Sequence, residues 1–89
     1  MATLKELLPV INDGRTAVLF LAYNHPENGE RKNLKIFIKK AASGLYERRL
    51  IFTDESLPIK PITNTFTERD LLADSNGIEA TSDQWTLQT

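Results

Sequence analysis

The sequence predicts an α+β fold, with residues 1–89 forming one small domain that combines an antiparallel β-meander with two short helices. Three observations lead to this prediction. Alternating apolar and charged residues flank a glycine-containing turn within residues 33–53, which is typical of a β-hairpin. Thr3 and Thr67 each have the surroundings of a helix N-cap. A chain of 89 residues supports one hydrophobic core but not two.

The composition matches a soluble globular protein and excludes several classes of function. Hydrophobic residues make up 40% of the chain and charged residues 26%. There is no cysteine, which excludes disulfides, thiolate catalysis and cysteine zinc sites. The longest apolar run, residues 17–23, is far shorter than the roughly 20 residues of a membrane-spanning helix, and the first ten residues lack the pattern of a secretory signal. We therefore expect a cytoplasmic protein without membrane contact.

The first two elements follow from local signals. Thr3 and Glu6 have the spacing of a capping box, so a helix is predicted to begin directly after Thr3. Pro9 removes one backbone hydrogen bond, so this helix should kink there or end after about one and a half turns, and Gly14 should close the element. Residues 16–23 are apolar at both alternating positions, which is typical of a strand that is covered on both faces or lies at the centre of a sheet, and we assign them as the central strand.

Residues 33–45 fit both an amphipathic helix and a strand. We favour strands at residues 33–41 and 45–53, because residues 36–38 suit a pleated sheet and the intervening loop offers Gly44 for a positive φ. The loop length sets a register that gives the hairpin two faces. The predicted core face contains Leu34, Ile36, Ile38, Leu50 and Phe52. The opposite face contains Lys35, Phe37, Lys39, Glu47, Arg49 and Ile51.

Two contacts follow from this register. Lys39 lies opposite Glu47, which predicts an ion pair, and Phe37 lies opposite Arg49, which predicts a cation–π contact.

Residues 31–49 hold seven basic residues against one acidic residue, whereas residues 54–89 hold seven acidic residues against two basic ones. The asymmetry indicates either a basic binding face or neutralisation between the two halves. We favour neutralisation, with the acidic carboxyl-terminal helix covering the basic face.

The last third of the chain predicts one helix and one hairpin. Residues 54–66 contain two prolines, so we expect an extended connection or an edge strand. Thr67 should cap a helix that ends at the Asn76-Gly77 pair. Residues 78–88 are predicted to form a terminal hairpin that carries Trp85, which we expect to fill the core rather than to stack on a ligand.

The sequence contains no recognisable catalytic or cofactor motif. No serine stands in a nucleophile elbow, and phosphate-loop and dinucleotide patterns are absent. The single histidine, His25, falls in a predicted loop without identifiable partners. We therefore expect no enzyme activity, no cofactor and no metal site.

The basic hairpin is the strongest candidate for a partner-binding surface, because aromatic side chains stand among cations there. The candidate residues are Lys35, Phe37, Lys39, Lys40, Tyr46, Arg48 and Arg49. We expect a non-catalytic binding module, and first of all a protein-interaction regulator or inhibitor of the type that phages and mobile elements encode. Two alternatives stay open: binding of single-stranded nucleic acid through the hairpin, and capture of a small nucleotide near Trp85. The sequence is compatible with an oligomer.

One family comparison concerns the two ends of the chain. Residues 67–73 (TERDLLA) with the later Trp85, and an opening helix that ends at Gly14 before a strand, slightly resemble the small phage proteins that sequester the signalling nucleotide of the Thoeris defence system. In that family an Asp-Trp pair directly follows Leu-Leu-Ala, whereas residues 74–84 intervene here. The family's Trp-Asn-Gly segment after the first strand has no counterpart at residues 22–25. The chain is therefore not assigned to that family.

Overall fold

The computed structural model describes residues 2–24, 27–52 and 62–88, and it confirms the predicted α+β class. A five-stranded antiparallel sheet packs against short helices. In chain order the elements are α1 (Leu4–Asn12), β1 (Ala17–Asn24), β2 (Arg31–Lys40), β3 (Leu45–Phe52), β4 (Ile62–Thr67), α2 (Glu68–Leu71), a 3₁₀ turn (Asp74–Asn76), α3 (Ile78–Thr81) and β5 (Thr86–Leu87). No helix in these ranges is long and apolar enough to cross a membrane.

The strand order is β4-β3-β2-β1-β5, so β2 occupies the centre of the sheet. The prediction that residues 16–23 form the central strand is wrong. β5 pairs only with Ala17 and Val18, and beyond them the outer side of β1 has no neighbouring strand in the described ranges. Phe20 is accordingly 64% exposed. An apolar run in the sequence shows that the side chains are hydrophobic, but it does not show whether a second layer of the structure covers them.

The β2–β3 hairpin has the predicted register. Ile36 lies opposite Leu50, and Lys39 lies opposite Glu47. Gly44 has a φ of 74°, the left-handed conformation that the loop requires and that glycine adopts without a steric penalty. Since successive side chains of a strand point to opposite faces, this register decides which residues enter the core.

Helix α1 begins as predicted but continues through its proline. The backbone N–H of Glu6 donates to Thr3 Oγ1 at 3.2 Å, and the N–H of Thr3 donates to Glu6 Oε1 at 3.1 Å, which completes the capping box. The helix then runs past Pro9 to Asn12. Pro9 lies on the exposed side of the helix, so the lost hydrogen bond is offset by packing of the opposite side. The buried residues of α1 are Leu4, Leu8 and Ile11.

The segment after β4 differs from the prediction in two ways. Thr67 caps α2 as expected, with the Asp70 N–H donating to its Oγ1 at 3.2 Å, but α2 ends at Leu71. The predicted terminal hairpin is wrong, because residues 78–81 form helix α3 and only β5 is extended. The indole N–H of Trp85 donates to the carbonyl of Glu79 within α3 at 2.9 Å, and Arg48 Nη1 of β3 donates to Glu79 Oε2 at 2.8 Å. The second of these is a long-range contact, and together they outweigh the local turn signal.

The hydrophobic core lies between the helices and one face of the sheet. All buried residues of the helices belong to it, and β1, β2 and β3 supply the sheet side. Of the predicted core face, Ile36 and Ile38 are fully buried, and Leu34 and Leu50 pack against the cluster. Phe52 meets the ring of Tyr23 edge to face, with 6.2 Å between ring centroids.

Two sequence predictions fall outside the described ranges. These are the loop around His25 and the proline-containing connection at residues 54–61. Within the described part, β4 lies at the edge of the sheet, as expected for residues 62–66.

Candidate binding face

The second face of the sheet carries none of the buried helix residues, and we refer to it as the open face. Strand alternation places a mixed set of aromatic, aliphatic, charged and hydroxyl side chains there. The set includes Val18, Phe20, Ala22, Arg31, Lys35, Phe37, Lys39, Glu47, Arg49, Ile51, Thr63 and Thr65. Leu71 of α2 is buried in the core on the other side, and Glu79 of α3 bonds to Arg48 there, so the described helices of the acidic carboxyl-terminal segment do not cover this face. The prediction of such a cover is wrong.

Two neighbouring rows of side chains form the centre of the open face. One row crosses four strands through Val18, Phe37, Arg49 and Thr63. The next row crosses three strands through Phe20, Lys35 and Ile51. The two phenyl rings therefore stand on adjacent strands in diagonal positions, which are roughly 7–8 Å apart along the backbone.

A shallow depression of about 260 Å³ lies beside these rows. Its lining consists of Thr16, Phe37, Lys39, Glu47, Arg49, Ile51 and Gln88. Pockets that bury a whole small molecule usually measure about 300–1,000 Å³. The depression is therefore suited to one ring or side chain of a larger partner rather than to an enclosed ligand.

Positive charge dominates the open face. Among the described residues of strands β1 to β4, its cations are Arg31, Lys35, Lys39 and Arg49, and Glu47 is its single carboxylate. The Lys39 ammonium lies 3.1 Å from Glu47 Oε2, which confirms the predicted ion pair. Because both residues are partly exposed, the pair contributes little to folding stability, typically about 0–1 kcal/mol.

Cation–π contacts occur at other positions than the sequence suggested. The Lys35 ammonium lies 5.6 Å from the ring centroid of Phe20. In the described ranges Arg49 makes no such contact with Phe37, and it has no ion-pair partner there. Among the described residues, three of the four open-face cations therefore have no carboxylate partner.

Four of the seven candidate residues come together on the open face: Lys35, Phe37, Lys39 and Arg49. The other three, Lys40, Tyr46 and Arg48, lie on the helix-covered face. The period of two along a strand explains the division, since Lys40 lies opposite Tyr46 and Arg48 lies opposite the buried Ile38.

Tyr46 is a structural residue. It is 2% exposed, and its hydroxyl donates to Asn12 Oδ1 at 2.6 Å. The Lys40 ammonium lies 4.5 Å from the Tyr46 ring centroid. Tyr46 therefore ties the end of α1 to the sheet and presents no ring to an external ligand.

Arg48 joins the carboxyl-terminal segment to the sheet. Its Nη1 donates to Glu79 Oε2 at 2.8 Å, and its Nη2 donates to Asn64 Oδ1 at 3.0 Å. The guanidinium carbon lies 4.7 Å from the ring centroid of Phe66. The side chains of Arg48 and Glu79 are only 16% and 12% exposed. Charge neutralisation between the two halves of the chain thus occurs at this site, on the helix-covered side.

Trp85 fills the core, as the sequence predicts. It is fully buried, and its indole N–H bonds to a backbone carbonyl of α3. A ring without exposed surface cannot stack on a ligand, so the described geometry around Trp85 does not favour nucleotide capture there.

Sequence reasoning missed Phe20 and Arg31 as members of the open face. Their positions follow from the β1–β2 register, in which Phe20 lies opposite Lys35 and Arg31 opposite Asn24. The β2–β3 loop has a recognisable length, whereas the longer β1–β2 connection carries no such register signal. The exposed phenyl ring could not be separated from the buried residues of the same apolar run.

The described ranges bring together no three His, Cys, Asp or Glu side chains that could hold a metal ion. The open face instead offers aromatic rings, cations and threonine hydroxyls. Comparison with protein-family models, with curated proteins and with solved structures found no match for this chain.

Proposed function

We propose that this protein is a non-catalytic binding module that holds single-stranded nucleic acid on its open face. The observation that carries the proposal is the combination of two phenyl rings on adjacent strands, Phe20 and Phe37, with four surrounding cations of which one is paired with a carboxylate. Rings stack on unpaired bases and cations contact the phosphates, and every nucleotide supplies both groups.

The shape of the face favours a single strand over a duplex. The rings lie on a broad sheet surface beside a shallow depression, and the face is formed by strand side chains rather than by a projecting helix. Reading a DNA duplex requires an element that enters the major groove, whereas unpaired bases can lie flat on a sheet. Stacking contributes about 1–3 kcal/mol for each base.

Binding should depend on salt in a defined way. If three or four open-face cations contact phosphates, the affinity for a single strand should fall with a log–log salt slope of roughly −2 to −3. Between 50 and 200 mM salt this corresponds to a loss of about 20- to 50-fold.

A regulator that binds another protein is the second candidate function. The observation that favours it is β4, a six-residue edge strand whose side chains are exposed at five positions. Exposed edges accept an extended segment of another protein through backbone hydrogen bonds. A protein partner of this kind would engage the edge and not the rings.

Fluorescence anisotropy with labelled single-stranded RNA and DNA of mixed sequence tests the proposal. The variant Lys35→Glu, Lys39→Glu, Arg49→Glu reverses three open-face charges and should abolish binding. The matched control, Lys5→Glu, Arg15→Glu, Arg69→Glu, makes the same charge change at exposed positions off the open face and should retain most of the affinity. Equal binding by both triple variants, or salt-independent binding by the unaltered protein, would rule the proposal out.

A further inference from the structure

The outer edge of β1 presents backbone hydrogen-bonding groups that no other described residue uses. The N–H of Gln88 donates to the carbonyl of Thr16 at 2.8 Å, so the even-numbered positions of this strand direct their backbone groups toward β5. β5 pairs only with Ala17 and Val18. Further along, the N–H and C=O groups of Phe20 and Ala22 point to the same side, where the described chain has no strand.

This edge lacks the features that keep exposed strands from associating. Natural edge strands carry charges, prolines or bulges, or are very short. β1 is eight residues long, its sequence AVLFLAYN has neither charge nor proline, and its pairing with β2 runs without a bulge from Ala17 to Asn24. Phe20 is also the most exposed large hydrophobic residue in the described ranges.

We propose that a second copy of this chain adds to this edge and forms a symmetric dimer with antiparallel β1 strands. With the two-fold axis at Leu21, Phe20 of each copy lies opposite Ala22 of the other. Each of these two residue pairs exchanges both of its N–H···O bonds, which satisfies the free backbone groups of both residues in both copies. The pairing covers residues 19–23 and stops where β5 begins to occupy the edge.

The sequence of β1 favours a second copy over an unrelated strand. A two-fold interface requires that residue i contacts residue j in both directions. Around Leu21 this rule matches the large ring of Phe20 with the small side chain of Ala22 on the open face, and both are exposed in the single chain. An uncharged strand also pairs best with another uncharged strand, since no charge must be desolvated.

The dimer would join two five-stranded sheets into one and place two open faces side by side. The dimer rests on backbone groups at the edge, whereas the nucleic-acid proposal rests on cations and two rings, of which only the ring of Phe20 also lies in the dimer interface. A failure to dimerise therefore leaves the nucleic-acid proposal intact, and the reverse holds as well.

The absence of native cysteine allows a direct test of the register by disulfide cross-linking. Leu21→Cys places two identical residues on the two-fold axis at a non-hydrogen-bonded position, where Cα atoms are about 4.5 Å apart and a disulfide can form. It should oxidise to a covalent dimer at least roughly tenfold faster than Ala22→Cys, because the two copies of residue 22 lie too far apart for a disulfide. A mixture of Phe20→Cys and Ala22→Cys should cross-link as a heterodimer, which tests the same register without altering Leu21.

Sedimentation equilibrium provides the second measurement. The unaltered chain and Ala22→Thr should dimerise with rising concentration, whereas Ala22→Pro should stay monomeric with an unchanged far-UV spectrum, because its ring blocks the edge without removing a bond to β2. A monomer at all concentrations, equal cross-linking of all cysteine variants, or open-ended growth into filaments through β1 and β4 would overturn the proposal.

Discussion

Arg48 and Arg49 are consecutive residues of β3 with different roles. Arg48 points into the helix-covered side, where Glu79, Asn64 and the ring of Phe66 surround its guanidinium. Arg49 points to the open face and is exposed, without an ion-pair partner in the described ranges. The difference comes from strand alternation alone, and it shows that a cluster of positive charge in a strand sequence contains two populations, one structural and one available for binding.

Replacing each arginine by alanine should give the largest contrast. Arg48→Ala leaves the mostly buried carboxylate of Glu79 without its partner, and we expect a loss of about 3 kcal/mol in the free energy of unfolding. Arg49→Ala removes an exposed side chain and should change it by less than about 0.5 kcal/mol. Urea unfolding followed by circular dichroism measures both values.

A double variant separates packing from pairing at the same site. Arg48→Met with Glu79→Leu replaces the ion pair by apolar side chains and should recover most of the lost stability, because no unpaired charge remains. Nearly equal free energies of unfolding for Arg48→Ala and Arg49→Ala would contradict the division into a structural arginine and one that is available for binding.

Removal of either phenyl ring of the open face should change single-strand binding rather than stability. Phe20→Ala and Phe37→Ala should each weaken single-strand binding by about 1–3 kcal/mol, as expected for a lost base stack. The control Ile62→Ala removes an exposed apolar side chain that faces the other side of the sheet. Equal single-strand affinity of all three variants would contradict a role of the two open-face rings in binding.

Acid should affect the helix-covered side at its capping box. The backbone and side-chain hydrogen bonds from Thr3 hold the pKa of Glu6 below its usual value. The stabilisation is therefore present above the pKa of Glu6 in the unfolded chain, and it is lost as the pH falls through the lower folded value.

The measurement is the melting temperature as a function of pH for the unaltered chain and Glu6→Gln. The variant should be less stable at neutral pH and should lose less on acidification, so that the two curves converge at low pH. Thr3→Ala, which removes the other half of the capping box, should cost about 1 kcal/mol at neutral pH. Parallel curves would show that the capping box does not contribute to the pH dependence.

Local signals predicted much of the fold. The capping box at Thr3, the N-cap at Thr67 and the glycine of the β2–β3 loop each act within a few residues, and all three are present. The hairpin register followed from the loop, because the loop length leaves one pairing that keeps charges out of the core. From this register four of the seven candidate residues were placed together correctly.

Predictions failed where a distant partner decides the conformation. Residues 78–81 form a helix because the carbonyl of Glu79 binds the indole of Trp85 and its carboxylate binds Arg48. The local sequence of this segment fits a strand equally well. Tyr46 and Arg48 were included in the binding set because they are aromatic or basic, although the register itself assigns them to the helix-covered side.

The sequence by itself determined the helix starts, the hairpin turn and the alternation that separates Arg48 from Arg49, because these depend on backbone geometry over a few residues. Only the tertiary structure decided that β2 is the central strand, that α1 and Trp85 pack on the same face of the sheet, and that the ring of Phe20 joins that of Phe37 on the other. The physical reason is that strand alternation separates the two faces only within the hairpin, where one face is apolar and the other mostly charged. The positions of β1 and of the helices relative to the hairpin depend on contacts among residues far apart in the chain.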